Sequence, residues 1–301
     1  MSITRKRLKW LDISKGIAII LMVVGHTSIP DVFSRFIFAF HMPLFFIASG
    51  WTTNWEKLNF ADFVVRRIRS IMLPFVCYSA IVLFVQIITN EIKGGGILLN
   101  WLQYGWQGYA LWFVPVLFLA SVLGHLIHTV HSIYFRYSVM IGLVLVGAYL
   151  RYIDLYLPWS MSSVPYACFF ILLGTELKNF KVLKMPRWIL LAGGFMVTSL
   201  VTYFGKLDMA WNAVIPILPL IIGAVAGTMM VFSLSSYIEQ YTEFLSKVLT
   251  KVGKETFVVV AFSQEIIILL RQYTSLHSIV CYFILLVSLI SIVFVKNKLK
   301  I

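Results

Sequence analysis

Two histidines stand inside long apolar stretches near the start of the chain. His26 follows Gly25 in the apolar run 13–29, and His41 sits in Phe40-His41-Met42-Pro43 within the run 34–51. An ionisable ring in hydrocarbon is costly unless it faces a bundle interior or a wet cavity, so each is a functional candidate by placement alone. An imidazole titrates near neutrality and can take a proton from an attacking hydroxyl, which contributes roughly 10²–10⁴-fold in rate. His26 is the candidate for that general base; its other reading is a structural histidine bonded to a neighbouring helix. Pro43 cannot donate to the Ala39 carbonyl, which predicts a kink beside His41. His41 then either orients a reacting group or serves as a hinge that bonds across helices.

On a helix at 100° per residue, Lys15, Ile19, Met22 and His26 form one stripe, with Asp12 about 40° away. The stripe is polar at both ends, roughly 20 Å apart at ~1.5 Å per residue, and reads as one wall of a path. Asp12 and Lys15, at i and i+3, can pair at its mouth. Further on, Arg66, Arg67 and Arg69 precede Pro74. Guanidinium groups bind phosphates in bidentate fashion, although such a cluster also anchors a helix end. Between 100 and 109, aromatics that include Trp106 and Tyr109 stand with the amides Asn100, Gln103 and Gln107 between them, and Trp112-Phe113 follow. Aromatic faces with amide donors suit a glycan, and an interfacial aromatic belt has the same composition. His125, His128 and His131 are spaced by three with no Cys, Asp or Glu nearby, which suits a helix C-terminus better than a metal. Gly94-Gly95-Gly96 has no strand before it and reads as a linker. Cys77, Cys168 and Cys281 stand singly in apolar segments, with no disulfide or metal spacing.

The elements that must position these groups are membrane helices. Of 301 residues, 60% are hydrophobic and 12% charged, and mean hydropathy is +0.90. That excludes an ordinary soluble domain. The expectation is an all-α polytopic membrane bundle in a single domain over 1–301, with about ten spans at 13–30, 34–52, 71–90, 109–128, 137–153, 161–176, 188–204, 211–234, 254–272 and 277–295. With the N-terminus inside, only Arg35, Lys93, Arg151, Lys206 and Arg271 of the 25 Lys and Arg lie outside, which predicts N-in and C-in. The net charge of +13 then serves orientation and anionic lipid rather than nucleic acid. Arg5, Lys6, Arg7 and Lys9 lead into an apolar run without a small-residue cleavage site, so no signal peptide is expected. Pro216 and Pro219 predict a break within the eighth span.

Leu11-Asp12-x-x-Lys15-Gly16-Ile17, then Gly25-His26, then Phe40-His41-Met42-Pro43-x-Phe45-Phe46-x-x-Ser49-Gly50 resembles the acyltransferase-3 superfamily, in its fucose 4-O-acetylase-like branch. Phe63-x-x-Arg66-Arg67-x-Arg69 before Leu73-Pro74 and the run Leu111-Trp112-Phe113-Val114-Pro115 are similar to further motifs of that family. The resemblance implies an integral-membrane O-acyltransferase of the cell membrane. It would move an acyl group, acetyl foremost, from cytosolic acyl-CoA to a hydroxyl of an envelope or exopolysaccharide glycan. It implies His26 as the base, with His41 and Asp12 supporting the path. Arg66, Arg67, Arg69 and Lys15 would hold the donor, with Arg67 and Arg69 foremost, and Trp112, Trp106 and Tyr109 would hold the acceptor. Acyl-CoA is a substrate, and no permanently bound cofactor or metal is implied. The implied partners are the lipid-linked or envelope glycan, membrane lipids, and either further copies of the chain or glycan-assembly proteins. One departure stands out: Gly253-Lys254-x-Thr256 and Ala261-Phe262 resemble the family's late helix, where a histidine commonly follows the Phe, yet Ser263-Gln264-Glu265 stands here. An exporter that uses the same wet cavity without chemistry is the alternative, and it has no need of the arginine cluster.

Overall fold

The computed structural model describes residues 7–27, 29–89, 97–106, 109–130, 132–274 and 278–299. His131 and Gly94-Gly95-Gly96 therefore lie outside the described residues. The architecture is helical throughout, and no strand occurs among the described residues beyond one isolated bridge between Asp208 and Ala213. The chain forms α1 (Lys9–Gly25), α2 (Asp31–Thr52) and α3 (Phe60–Arg67), which runs through a wide turn at Ile68–Met72 into α4 (Leu73–Ile88). There follow α5 (Ile97–Tyr104), α6 (Phe113–Thr129), α7 (Ile133–Tyr152), α8 (Val164–Asn179) and α9 (Gly194–Val201). The last four are α10 (Ile217–Tyr241), α11 (Glu243–Lys254), α12 (Thr256–Tyr273) and α13 (Ser278–Leu299).

A helix stands at each of the ten expected places, and seven of the described helices are long and apolar enough to cross a membrane. The peripheral helices expose Phe84, Ile88, Leu145, Phe195, Leu218, Phe283 and Phe294, an apolar surface that lipid can cover. Helices α2, α6 and α8 form the centre: 61%, 67% and 72% of their apolar windows are buried, against 11% for α7.

Three boundaries differ from expectation, each for a local reason. The first helix ends at Gly25 rather than at 30, because glycine is a poor helix former and the chain must turn back within five residues to start α2. His26 is thus the residue after the last turn, its N–H bonded to the Met22 and Val23 carbonyls at 3.2 Å each. The expected break within the eighth span is absent. Pro216 stands before α10 and Pro219 falls in its first turn, where a missing N–H costs nothing, so the helix simply starts late. Residues 206–216 instead form a connection pinned by Asn212 Nδ2 to the Gly147 carbonyl (3.0 Å) and by the Ser163 hydroxyl to the Met209 carbonyl. At Ile68–Met72, the Leu73 N–H bonds the Ile68 carbonyl five residues back. Pro74 cannot supply the regular bond to Ser70, and the helix widens there. By contrast α2 runs unbroken through Pro43.

Close backbone approach locks the centre. A Cβ on Gly50 would collide with the Ile171 carbonyl, and one on Gly174 with the Ile47 carbonyl, so α2 and α8 touch reciprocally at a glycine on each. Gly16 and Gly253 join α1 to α11 in the same way. Small residues permit such contact within lipid, where association rests on packing. Gly174→Ala should therefore lower the melting temperature in detergent, at a cost of about 1–3 kcal/mol for overpacking. Gly142→Ala on α7, where nothing lies within 4 Å, should hold or raise it, since alanine is the better helix former. Equal shifts for the two variants would mean that the α2–α8 contact is not close-packed.

Candidate active site

Two cavities of about 230 Å³ each lie back to back along α2. The first is lined by Lys15 of α1, Phe45, Ser49 and Thr52 of α2, Arg67 and Ser70 at the wide turn, Phe113 of α6, and Thr256, Phe257 and Val260 of α12. Arg67 reaches it with its guanidinium over the Phe63 ring (5.1 Å) and a hydrogen bond from Nη2 to Thr53 Oγ1 (3.0 Å). Of the arginine cluster, only Arg67 lines the cavity. Arg66 and Arg69 are exposed, because successive helical residues point about 100° apart and the wide turn intervenes.

The second cavity is lined by Met22 and His26, by Phe38, His41 and Met42 of α2, by Tyr109, Ala110 and Trp112, and by the connection Lys206–Trp211. Phe38 stands between the two histidines, edge-on to His26 at 5.7 Å and to His41 at 4.8 Å. His41 Nδ1 lies 2.9 Å from the Ile37 carbonyl oxygen. His26 Nδ1 lies 3.1 Å from Gln264 Nε2, and the Gln264 oxygen receives the Ala110 N–H. Lys206 is exposed, yet its Nζ sits 3.6 Å from the centre of the Phe38 ring, a cation–π contact that keeps its charge at the cavity. The two cavities share no lining residue but are separated by one layer: Met42 and Trp112 on one side, Phe45 and Phe113 on the other.

The structure thus brings together His26, His41, Tyr109 and Trp112 in one cavity, and Lys15 with Arg67 in the other. It leaves out Asp12 and Trp106. Asp12 does not pair with Lys15 at the mouth of the path. Arg7 holds it in a fork, Nε to Oδ2 at 2.5 Å and Nη2 to Oδ1 at 3.1 Å, and this takes both oxygens of a buried carboxylate. Trp106 is buried with Nε1 on Ser79 Oγ (2.9 Å), a packing role away from the cavity. His125 is bonded through Nε2 to the Leu58 carbonyl (3.2 Å), and His128 Nε2 stands 2.9 Å from Arg136. Glu265, which has no evident partner in sequence, receives Gln86 Nε2 at 3.0 Å.

Sequence reading misses Lys206 and Asp208 and gives Gln264 no role. The signal available is modest: a Lys-x-Asp pair in a short connection between two apolar spans, in a chain with only 12 acidic residues. The arrangement can hold an anionic molecule on one side of a thin apolar layer and a polar molecule at two imidazoles on the other. A helical membrane protein with two such chambers suits the transfer of a group between them. The profile of the acyltransferase-3 family, described as an acyltransferase domain, matches residues 8–297. The chain belongs to that family and is a membrane acyltransferase. It matches no curated protein and no solved structure at a significant level.

Asp208 lies in the 206–216 connection, outside the helices. Burial holds its carboxyl above the ordinary value, against the lowering pull of Lys206 and of the Ala210 and Trp211 amides. The native state therefore binds this proton more tightly than the unfolded chain. Stability is lost as pH rises from the unfolded value of ~3.9 through the raised native one. Asp208→Asn removes that loss, so the variant should melt at or above wild type at pH 7. The difference should vanish below about pH 4. A lower melting temperature for the variant at pH 7 would show that ionised Asp208 stabilises the connection.

Proposed function

We propose that the chain transfers an acyl group, acetyl foremost, from cytosolic acyl-CoA to a hydroxyl of an envelope or exopolysaccharide glycan, as a ten-span protein of the cell membrane with both termini inside. The observation that carries this is the back-to-back pair of cavities on α2, one with Lys15 and Arg67, the other with His26 and His41. A guanidinium and an ammonium suit the phosphates of coenzyme A. Two imidazoles suit proton transfer from a hydroxyl and support of the charge on a thioester carbonyl. Trp112, Tyr109 and Trp211 with Lys206 and Asp208 offer the aromatic faces and hydrogen-bonding groups that a polyhydroxylated acceptor uses. The excess of bases on one side supports the orientation that puts Arg67 toward the cytosol.

Donor binding tests the first half. A charge-assisted bond to phosphate contributes ~1.5–3 kcal/mol, so Arg67→Ala should weaken acyl-CoA affinity about 10- to 100-fold. Arg69→Ala and Arg66→Ala, both at exposed positions, should change it far less. Unchanged affinity in Arg67→Ala returns the cluster to a helix anchor. Mass spectrometry of envelope glycans with and without the gene tests the second half: the expected result is loss of an O-acyl mass, and no change overturns the glycan acceptor.

Orientation is checked separately with cysteines in a background lacking the native ones. Asp154→Cys, in the exposed turn after α7, should label from outside intact cells. Lys181→Cys, in the turn after α8, should label only after permeabilisation. The reverse pattern would put Arg67 on the outer side and exclude cytosolic acyl-CoA as its ligand.

A further inference from the structure

Each histidine of the outer cavity has one ring nitrogen committed to the protein, and the partners differ in kind. At His41, Nδ1 faces the Ile37 carbonyl oxygen at 2.9 Å. A carbonyl can only accept, so Nδ1 carries the proton and the lone pair lies on Nε2. At His26, Nδ1 faces the amide of Gln264 at 3.1 Å. The orientation of that amide is fixed from its other end, because its oxygen receives the Ala110 backbone N–H, a group that can only donate. The amide nitrogen therefore points at His26 and donates. Nδ1 of His26 accepts, and its proton lies on Nε2. Among the described residues neither Nε2 has a protein partner, and both rings line the cavity.

We infer, on the basis of the acyl-transfer reading, that the two rings have opposite roles: His41 Nε2 is the base for the acceptor hydroxyl, His26 Nε2–H is the hydrogen-bond donor to the acyl carbonyl oxygen, and Gln264 is the positioning residue that holds His26 in that state. This inverts the expectation that His26 takes the proton. The sequence of bonds is balanced. The acceptor oxygen gives its proton to His41 Nε2 as it bonds to the thioester carbonyl carbon. The carbonyl π pair moves to its oxygen, which His26 Nε2–H supports. The oxygen pair then returns, the carbon–sulfur bond breaks, and the thiolate takes the proton back from His41. The products are the ester and the free thiol of coenzyme A.

The charged surroundings fit that division. Lys206 lies over Phe38, between the two rings, and the Arg271 guanidinium of α12 reaches the His26 carbonyl oxygen at 3.4 Å. Both add positive potential where the carbonyl oxygen gains negative charge, which is the larger electrostatic demand of acyl transfer. Asp208, from the same connection as Lys206, is the acidic group lining the cavity. A Gln264 amide that donates to Nδ1 leaves no room for a second proton there, so His26 stays a neutral donor. A histidine at position 264 could present either tautomer to His26, whereas glutamine anchored by Ala110 presents one.

The test reads tautomers directly. The full-length protein, labelled with ¹⁵N-histidine in lipid nanodiscs, is examined by ¹⁵N NMR, and the rings are assigned with His26→Gln and His41→Gln. The expected spectrum has His26 protonated at Nε2 and His41 at Nδ1. In Gln264→Glu, whose carboxylate accepts instead of donating, the proton of His26 should appear on Nδ1. Protonation of wild-type His26 at Nδ1, or a Gln264→Glu spectrum identical to wild type, overturns the proposal. The spectrum answers this whether or not transfer is detected, so its failure is distinct from that of the acyl-transfer reading. Turnover gives the second arm. His41→Gln should lose about 10²–10⁴-fold, while His26→Gln, which keeps an N–H donor, should retain at least about ten-fold more activity than His41→Gln. The reverse order would make His26 the base and overturn the assignment with acyl transfer intact.

Discussion

Backbone contact between α2 and α8 governs the geometry of both cavities, because it removes the lateral freedom of the helix that carries them. Reciprocal glycines, Gly50 against Ile171 and Gly174 against Ile47, let the two axes approach until main chain meets main chain. Without a hydrophobic drive between helices in lipid, such contact is what packing can use. Helix α2 then presents Phe38, His41 and Met42 to one chamber and Phe45, Ser49 and Thr52 to the other, within a few turns of one continuous helix. Helix α1 repeats the arrangement, with Lys15 in one chamber and Met22, and His26 just past its end, in the other, and is held against α11 by its own glycine pair. The spacing of the chambers is therefore set by helical rise, not by loops.

Buried polar groups elsewhere serve structure. Glu265 is tied to Gln86 across α12 and α4, and Glu176 lies between Arg136 (3.6 Å) and the Tyr137 hydroxyl (3.4 Å). An unpaired charge at such depth would cost several kcal/mol, so each has a partner. His26 and His41 differ in that each offers one nitrogen to the protein and keeps the other for the cavity. Trp55, bonded to Thr175 Oγ1 at 3.0 Å and stacked on His128, shows the contrasting use of an aromatic as a fixed brace.

The helical class, the apolar character of the helices and the histidine motifs are legible in the sequence because they depend on local pattern: runs of apolar residues, and an ionisable residue within them. Tyr109, Trp112 and Lys15 are legible for the same reason, as polar or aromatic residues close to those motifs. Direction and long-range partnership are not encoded in that way. Arg66, Arg67 and Arg69 look equivalent in sequence, and only the helical step from Arg66 to Arg67 and the wide turn that holds Arg69 leave one facing the cavity and two exposed. Spacing alone pairs Asp12 with Lys15, but Arg7, which lies before the helix, folds back onto it. Lys206 and Asp208 enter because α10 starts at Ile217 and frees the preceding residues to cover the cavity. The register of Gln264 against His26 spans most of the chain, and no local pattern encodes it.

The thinness of the layer between the chambers carries the last step. From Met42 to Phe45 is three residues of α2, about 4.5 Å of rise, and Trp112 and Phe113 are adjacent. Phe45, Phe46 and Phe113 pack with ring centres 5.2–5.6 Å apart and make that layer apolar. A polyanion cannot enter such a layer without a large desolvation cost, whereas a short neutral acyl group can. On the acyl-transfer reading, the phosphates stay with Arg67 and Lys15, the acceptor stays with Lys206 and Asp208, and only the uncharged thioester end of the donor arm must cross. An exporter would need the opposite, a layer that opens wide enough for a polar cargo. The glycine contacts that fix α2 to α8 work against such opening, so the rigidity of the bundle favours passing a group over passing a molecule.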